Sequence, residues 1–188
     1  MARTRILAST LFLGSLLFGV ASSGARPALG GQPCSMSQMA FSLGPYVSEA
    51  TEQHTLALRL MNRGRVCVLF GYPKATLYDA RGEIPFRFRR GGDQMISARP
   101  PTPVIVQRGG SAFVLLNKNV CVNGSSRAAT DIKLATPKVR GGGVGLLTFP
   151  RRMAFAWRVP DGCTDAADLG WVITISPFVP TVRAALSH

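Results

Sequence analysis

The chain is 188 residues long, with 22 Lys+Arg against 9 Asp+Glu, a formal net charge of +13 and a hydrophobic content of 46%. That apolar content excludes a disordered polyampholyte, and 20 Gly with 13 Pro in no fixed period exclude collagen and favour a loop-rich β protein. His54 and His188 are the only histidines, so a histidine-centred active site has little to draw on.

Arg3 and Arg5 open the chain without an acid, residues 6–21 carry no charge, and small residues follow at Ala21, Ser22, Ser23 and Ala25. A charged start, an apolar middle and a small-residue cut site make a secretory signal, so export by the general route with cleavage near Ala25 is expected. Residues 6–21 fall short of the roughly 20 apolar residues that a spanning helix needs; a retained anchor is the alternative. Thr4 between the arginines rules out a twin-arginine signal, and Gly31-Gln32-Pro33 before Cys34 is no lipobox. The expected layout is a signal at 1–25, a flexible leader at 26–33, one β domain at 34–180 and a C-terminal tail at 181–188, in a secreted or cell-envelope protein.

Period-two alternation recurs after the leader. Leu56, Leu58 and Leu60 alternate with Ala57, Arg59 and Met61, and Ile84, Phe86 and Phe88 oppose Arg87 and Arg89. Phe155, Trp157 and Val159 form a third set, and Trp171, Ile173 and Ile175 a fourth, with both tryptophans expected as core plugs. Shorter apolar runs at 66–70, 104–107, 112–116 and 132–135 read as buried strands. Turn signals separate them at Arg81-Gly82, Gly91-Gly92-Asp93, Pro100-Pro101, Gly109-Gly110, Asn123-Gly124 and Gly141-Gly142-Gly143. No window after the leader carries a helical apolar stripe. About nine strands with such turns predict an all-β, antiparallel sandwich of immunoglobulin-like type, with a closed barrel as the alternative.

All four cysteines, Cys34, Cys67, Cys121 and Cys163, follow the signal, and no pair is spaced C-x-x-C. An even number in an exported chain points to two disulfides. Three connectivities are open; Cys34–Cys67 with Cys121–Cys163 is preferred because each bond then ties neighbouring stretches.

Residues 58–73 read LRLMNRGRVCVLFGYP, an Asn62-x-Gly64 turn followed by Cys67-x-Leu69-x-Gly71-Tyr72-Pro73. Gly71 and Pro73 suit a sharp bend, since Gly accepts positive φ and Pro fixes the exit, with Tyr72 packing or bonding across the corner. The pattern resembles a domain-of-unknown-function family of actinobacterial exported proteins and lipoproteins. Lys74 to Gly82 is similar to that family's strand and D-x-x-G turn, and Val104 to Ala112 to its "V-x-L-x-P-G-x-S-A" segment, with Arg108 where proline is usual. The resemblance spans residues 34–180 and implies an immunoglobulin-like sandwich outside the cytoplasmic membrane; it carries no catalytic residue across.

Enzyme signatures are missing. There is no G-x-S-x-G, H-E-x-x-H, P-loop or G-x-G-x-x-G, and Gly141 to Gly145 reads as a flexible loop. His54 reads as a surface histidine. Asp161, Asp165 and Asp168 offer too few oxygens for a calcium site. Asn123-Gly124-Ser125 matches a glycosylation acceptor. No metal or cofactor is expected. What remains is charge: Arg87, Arg89 and Arg90, with Arg81 and Arg99 nearby, and a second group at Arg151, Arg152 and Arg158. With Phe86 and Phe88 inward, Arg87 and Arg89 share an outward face, and Arg90 continues it into the glycine turn. Arginine pairs carboxylate and phosphate bidentately. The expectation is therefore a non-enzymatic binding module for anionic wall polymers or lipid head groups, with nucleic acid disfavoured by export. The rivals are a structural or partner-docking domain whose charge is incidental and, more remotely, an unrecognised hydrolase.

Overall fold

The computed structural model describes residues 31–48, 50, 53–119, 125–136, 144–148, 158–161 and 172–187. Thirteen strands run through them: β1 (Met39–Leu43), β2 (Gln53–Asn62), β3 (Cys67–Leu69), β4 (Lys74–Asp79), β5 (Gly82–Ile84), β6 (Arg87–Arg90), β7 (Val104–Val106), β8 (Ser111–Asn119), β9 (Ser125–Ala128), β10 (Asp131–Ala135), β11 (Val144–Thr148), β12 (Arg158–Asp161) and β13 (Val172–Ile175). Among the described residues there are 3-10 turns at Met36–Gln38 and Val182–Ala185 and no α-helix. The strands outnumber the nine expected. β1, β9 and β11 lie outside the alternating sets and apolar runs of the sequence, and the set from Ile84 to Arg89 is divided at Pro85 into β5 and β6.

Two larger sheets form, one in the order β1-β2-β8-β13-β6 and one in the order β11-β10-β4-β5, with two-stranded ribbons β3–β7 and β9–β12. Every pairing is antiparallel except β13 with β6, which is parallel. The two sheets share one core. Leu56, Leu58, Leu60, Val114, Leu116, Ile173 and Ile175 come from the first; Ala75, Leu77, Ile84, Ile132 and Leu134 come from the second, and Leu69, Val104 and Val106 come from the β3–β7 ribbon. Each large aliphatic side chain removed from water there contributes roughly 1.5–3 kcal/mol before entropy. β5 and β6 belong to different sheets. Pro85, which lacks an N–H, ends the first ladder, and the Phe86 amide turns back to the Ile84 carbonyl at 2.8 Å. Phe86 and Phe88 pack on the core while Arg87 and Arg89 stay exposed, as the alternation predicts.

The outer face of the five-stranded sheet is covered at one end. Ala57 and Leu115 lie in a second apolar cluster beneath Val47, Met95, Ile96, Val179 and Ala185. The segment at 181–187, read as a tail, docks there: Ser97 donates to the Ala185 carbonyl and Ser187 to that of Met95, both at 2.9 Å. The end of the leader is also held. Val68 donates to the Gln32 carbonyl at 2.9 Å and Cys34 to the Val68 carbonyl at 3.0 Å, and Cys34 is disulfide-bonded to Cys67 with the Cα atoms 4.8 Å apart.

Asn62 is fully buried at the corner between β2 and β3. Its Nδ2 donates to the carbonyls of Arg65 (2.7 Å) and Val106 (2.9 Å), and its Oδ1 accepts from Gly64 N–H at 2.8 Å. The asparagine thereby joins the turn to the β3–β7 ribbon. Gly71 has φ 84°, a left-handed value that favours glycine. Pro73 after it is buried, and half-buried Tyr72 packs on the core. Cys121, Cys163, Phe155, Trp157, Trp171, Arg151, Arg152, Asp165, Asp168, the expected turns at 123–124 and 141–143, the expected signal at 1–25 and the expected Cys121–Cys163 bond lie outside the described residues.

Candidate functional site

Beyond the apolar cluster, the outer face of the five-stranded sheet becomes polar. Thr55 of β2 stands opposite Asn117 of β8, Asn117 opposite Thr174 of β13, and Thr174 opposite Arg89 of β6. Directly paired residues project to the same side of a sheet, so these four form a straight row across four strands. One rung further out, Gln53 faces Asn119.

The row is stitched by side chains. Thr55 Oγ1 donates to Asn117 Oδ1 at 2.8 Å; Asn117 Nδ2 donates to Gln53 Oε1 at 2.7 Å and to Asp93 Oδ2 at 2.9 Å; Gln53 Nε2 donates to Asn119 Oδ1. Arg89 closes the row by donating from Nη2 to Thr174 Oγ1 at 3.1 Å. Asn117 is 1% exposed and Thr174 2%, so the network sits where an unmade bond would cost about 1–3 kcal/mol per group. Such a network holds its members in one geometry.

Asp93 comes from the turn after β6. Gly91 and Gly92 have φ 58° and 75°, and a Cβ on Gly91 would fall 2.7 Å from the Ser97 carbonyl oxygen, so glycine is required there. The turn brings Asp93 Oδ1 onto the amides of Met95 (2.8 Å) and Ile96 (2.5 Å) while Oδ2 faces Asn117. Both oxygens of the carboxylate are therefore committed to N–H donors. Between this turn and the strands lies a cavity of about 260 Å³, lined by Gln53, Arg89, Asp93, Gln94, Asn119 and Thr174 among others.

Of the three arginines singled out from the sequence, Arg89 lines the cavity. Arg87 is exposed on the same face of β6, opposite Val172, another lining residue. Two residues along a strand place their Cα atoms roughly 6–7 Å apart, within reach of adjacent anionic groups. Arg90 does not join them. It lies on the opposite face of β6, with its guanidinium 5.6 Å from the centroid of the Tyr72 ring, where it covers the Gly71-Tyr72-Pro73 corner. Sequence reasoning missed Gln53, Asp93, Asn117, Asn119 and Thr174. Asn117 and Asn119 do sit at the period-two spacing after an apolar run, but only the register shows which residues they face. Among the described residues Arg89 makes no ion pair, and no group of three His, Cys, Asp or Glu could hold a metal ion. No helix among them is long and apolar enough to cross a membrane.

Comparison of the chain with family models, with curated proteins and with solved structures returns no match.

Proposed function

We propose that the protein is an exported binding module, without catalysis, whose Arg89 pocket takes an anionic group, a phosphodiester or carboxylate, of a cell-envelope polymer. The carrying observation is the placement of Arg89. Its guanidinium is held at one nitrogen by Thr174, borders a cavity walled by a prearranged amide network, and makes no ion pair with Asp93, whose oxygens accept from the Met95, Ile96 and Asn117 N–H groups. Arg87 on the same face supplies a second contact. The lining groups among the described residues are amides, a hydroxyl, a carboxylate and cations, a set suited to recognition rather than nucleophilic attack. Export by the general secretory route, cleavage near Ala25, a Cys121–Cys163 bond and an immunoglobulin-like topology complete the reading; the Cys34–Cys67 disulfide supports an oxidising compartment.

The test is binding to a purified phosphodiester wall polymer at low and high salt. Wild type should bind at low salt and weaken as salt rises, because exposed charges are screened beyond about 8 Å at physiological ionic strength. Arg87→Ser/Arg89→Ser should lose that binding and Arg90→Ser, on the other face, should keep it. Equal loss in both variants, or no binding by wild type at low salt, would leave the charge incidental.

A further inference from the structure

The β3–β7 ribbon carries its apolar residues on both faces. Cys67, Leu69, Val104 and Val106 point inward and are buried, as half of any covered ribbon should be. The opposite face, where polar side chains are the norm, presents Val66 (50% exposed), Phe70 (51%) and Ile105 (66%), with half-buried Val68 directly across from Ile105. The runs at 66–70 and 104–107 were expected to be buried strands; one side of each is open. Contiguous exposed apolar residues of this kind mark a contact surface.

The charge around the face tells what it meets. Cys67 pairs with Val106, so the residues before β3 and after β7 lie at the same end of the ribbon, and there Arg63, Arg65 and Arg108 are all exposed. Asn62 bonds both the Arg65 and the Val106 carbonyls, which fixes that end. Residues 62–74 and 100–110 contain four cations and no acid. A second copy of this chain docked through the same face would offer those arginines no counter-charge. A bilayer offers both parts at once, hydrocarbon for Phe70 and Ile105 and anionic head groups for the arginines. The leader arrives at the same place: Gly31 is packed so closely on Val68 that a Cβ there would lie 2.3 Å from Val68 Cγ2.

We propose that this ribbon face is a peripheral membrane-docking surface for anionic phospholipid, separate from the Arg89 pocket and not dependent on it.

The protein as its expressing cell exports it would be sedimented with phosphatidylcholine vesicles, with and without phosphatidylglycerol. Wild type should partition onto the phosphatidylglycerol vesicles. Arg63→Gln/Arg65→Gln/Arg108→Gln should lower partitioning on the order of a hundredfold at low salt, from about a fivefold contribution per surface arginine, and the difference should shrink at high salt. Val66→Ser/Phe70→Ser/Ile105→Ser should lower it at least about tenfold at both salts, with urea unfolding confirming that the exposed substitutions leave the fold intact. Absence of wild-type binding to anionic vesicles at low salt overturns the proposal. So does unchanged partitioning of the serine variant. If only Arg87→Ser/Arg89→Ser releases the vesicles, the lipid belongs to the pocket and the ribbon proposal falls; if the ribbon variants release vesicles but keep the wall polymer, the two surfaces stand apart as proposed.

Discussion

Asn117 is the hub of the polar row, and its replacement tests the row's geometry. Asn117→Ala deletes three side-chain hydrogen bonds, to Thr55, Gln53 and Asp93. Three lost hydrogen bonds at about 1–3 kcal/mol each set an upper limit of several kcal/mol. Two of them border the cavity, however, where water can enter and replace the lost donor. The expected cost is therefore about 2–3 kcal/mol, below that limit. Asn117→Asp keeps the shape and reverses the chemistry. It removes the N–H donors and points an acceptor at Asp93 Oδ2 and Gln53 Oε1, so at neutral pH it should cost more than the alanine. The carboxyl introduced at 117 regains a donor when protonated. It therefore binds its proton more tightly in the folded state, and stability should rise as pH falls from 7 through the carboxylate range near 4. Urea unfolding of the oxidised protein, with the slope m unchanged, measures both effects. An aspartate variant as stable as wild type, or no worse than alanine with no dependence on pH, would refute the arrangement of Asn117 against Asp93.

Asn62→Ala should be costlier than Asn117→Ala, about 3–4 kcal/mol, because it removes three hydrogen bonds, to the Arg65 and Val106 carbonyls and from the Gly64 N–H, made by a fully buried side chain that water does not replace; thermal unfolding should show a Tm lower by roughly 10 °C. Cys34→Ser/Cys67→Ser opens a loop with a sequence separation of 33 and should cost about 4 kcal/mol in denaturant unfolding. In the same variant the backbone amides at position 34 and at Val68, bonded across the leader, should lose protection from hydrogen exchange first.

The fold class was legible because apolar alternation is a property of single strands. Leu56, Leu58 and Leu60 read inward from their spacing alone, and all three are buried in the core. The preferred Cys34–Cys67 bond followed from compartment and proximity in the chain, and it forms. Phase by itself does not reveal what lies over the other face. Ala57 alternates with the core leucines and so lies on the sheet's other face, yet it is buried there against residues of the 91–98 loop and the 181–187 segment. Ile105 sits in an apolar run that suggests burial, yet it faces solvent. The candidate site was half legible. Arg87 and Arg89 stood out by charge, but Thr55, Asn117 and Thr174 meet Arg89 only through the pairing of four strands from distant parts of the chain. Arg90 looked like their neighbour, and the pleat sends it to the opposite face, over Tyr72.

The most direct test of the central claim is a nuclear magnetic resonance titration of the folded protein with inorganic phosphate at low salt. The account predicts a saturable shift of the Arg89 side-chain N–H together with the side-chain amides of Asn119 and Gln94, absent in Arg89→Ser, while Arg90 stays unmoved. Shifts spread evenly over the exposed arginines, or none at Arg89, would contradict it.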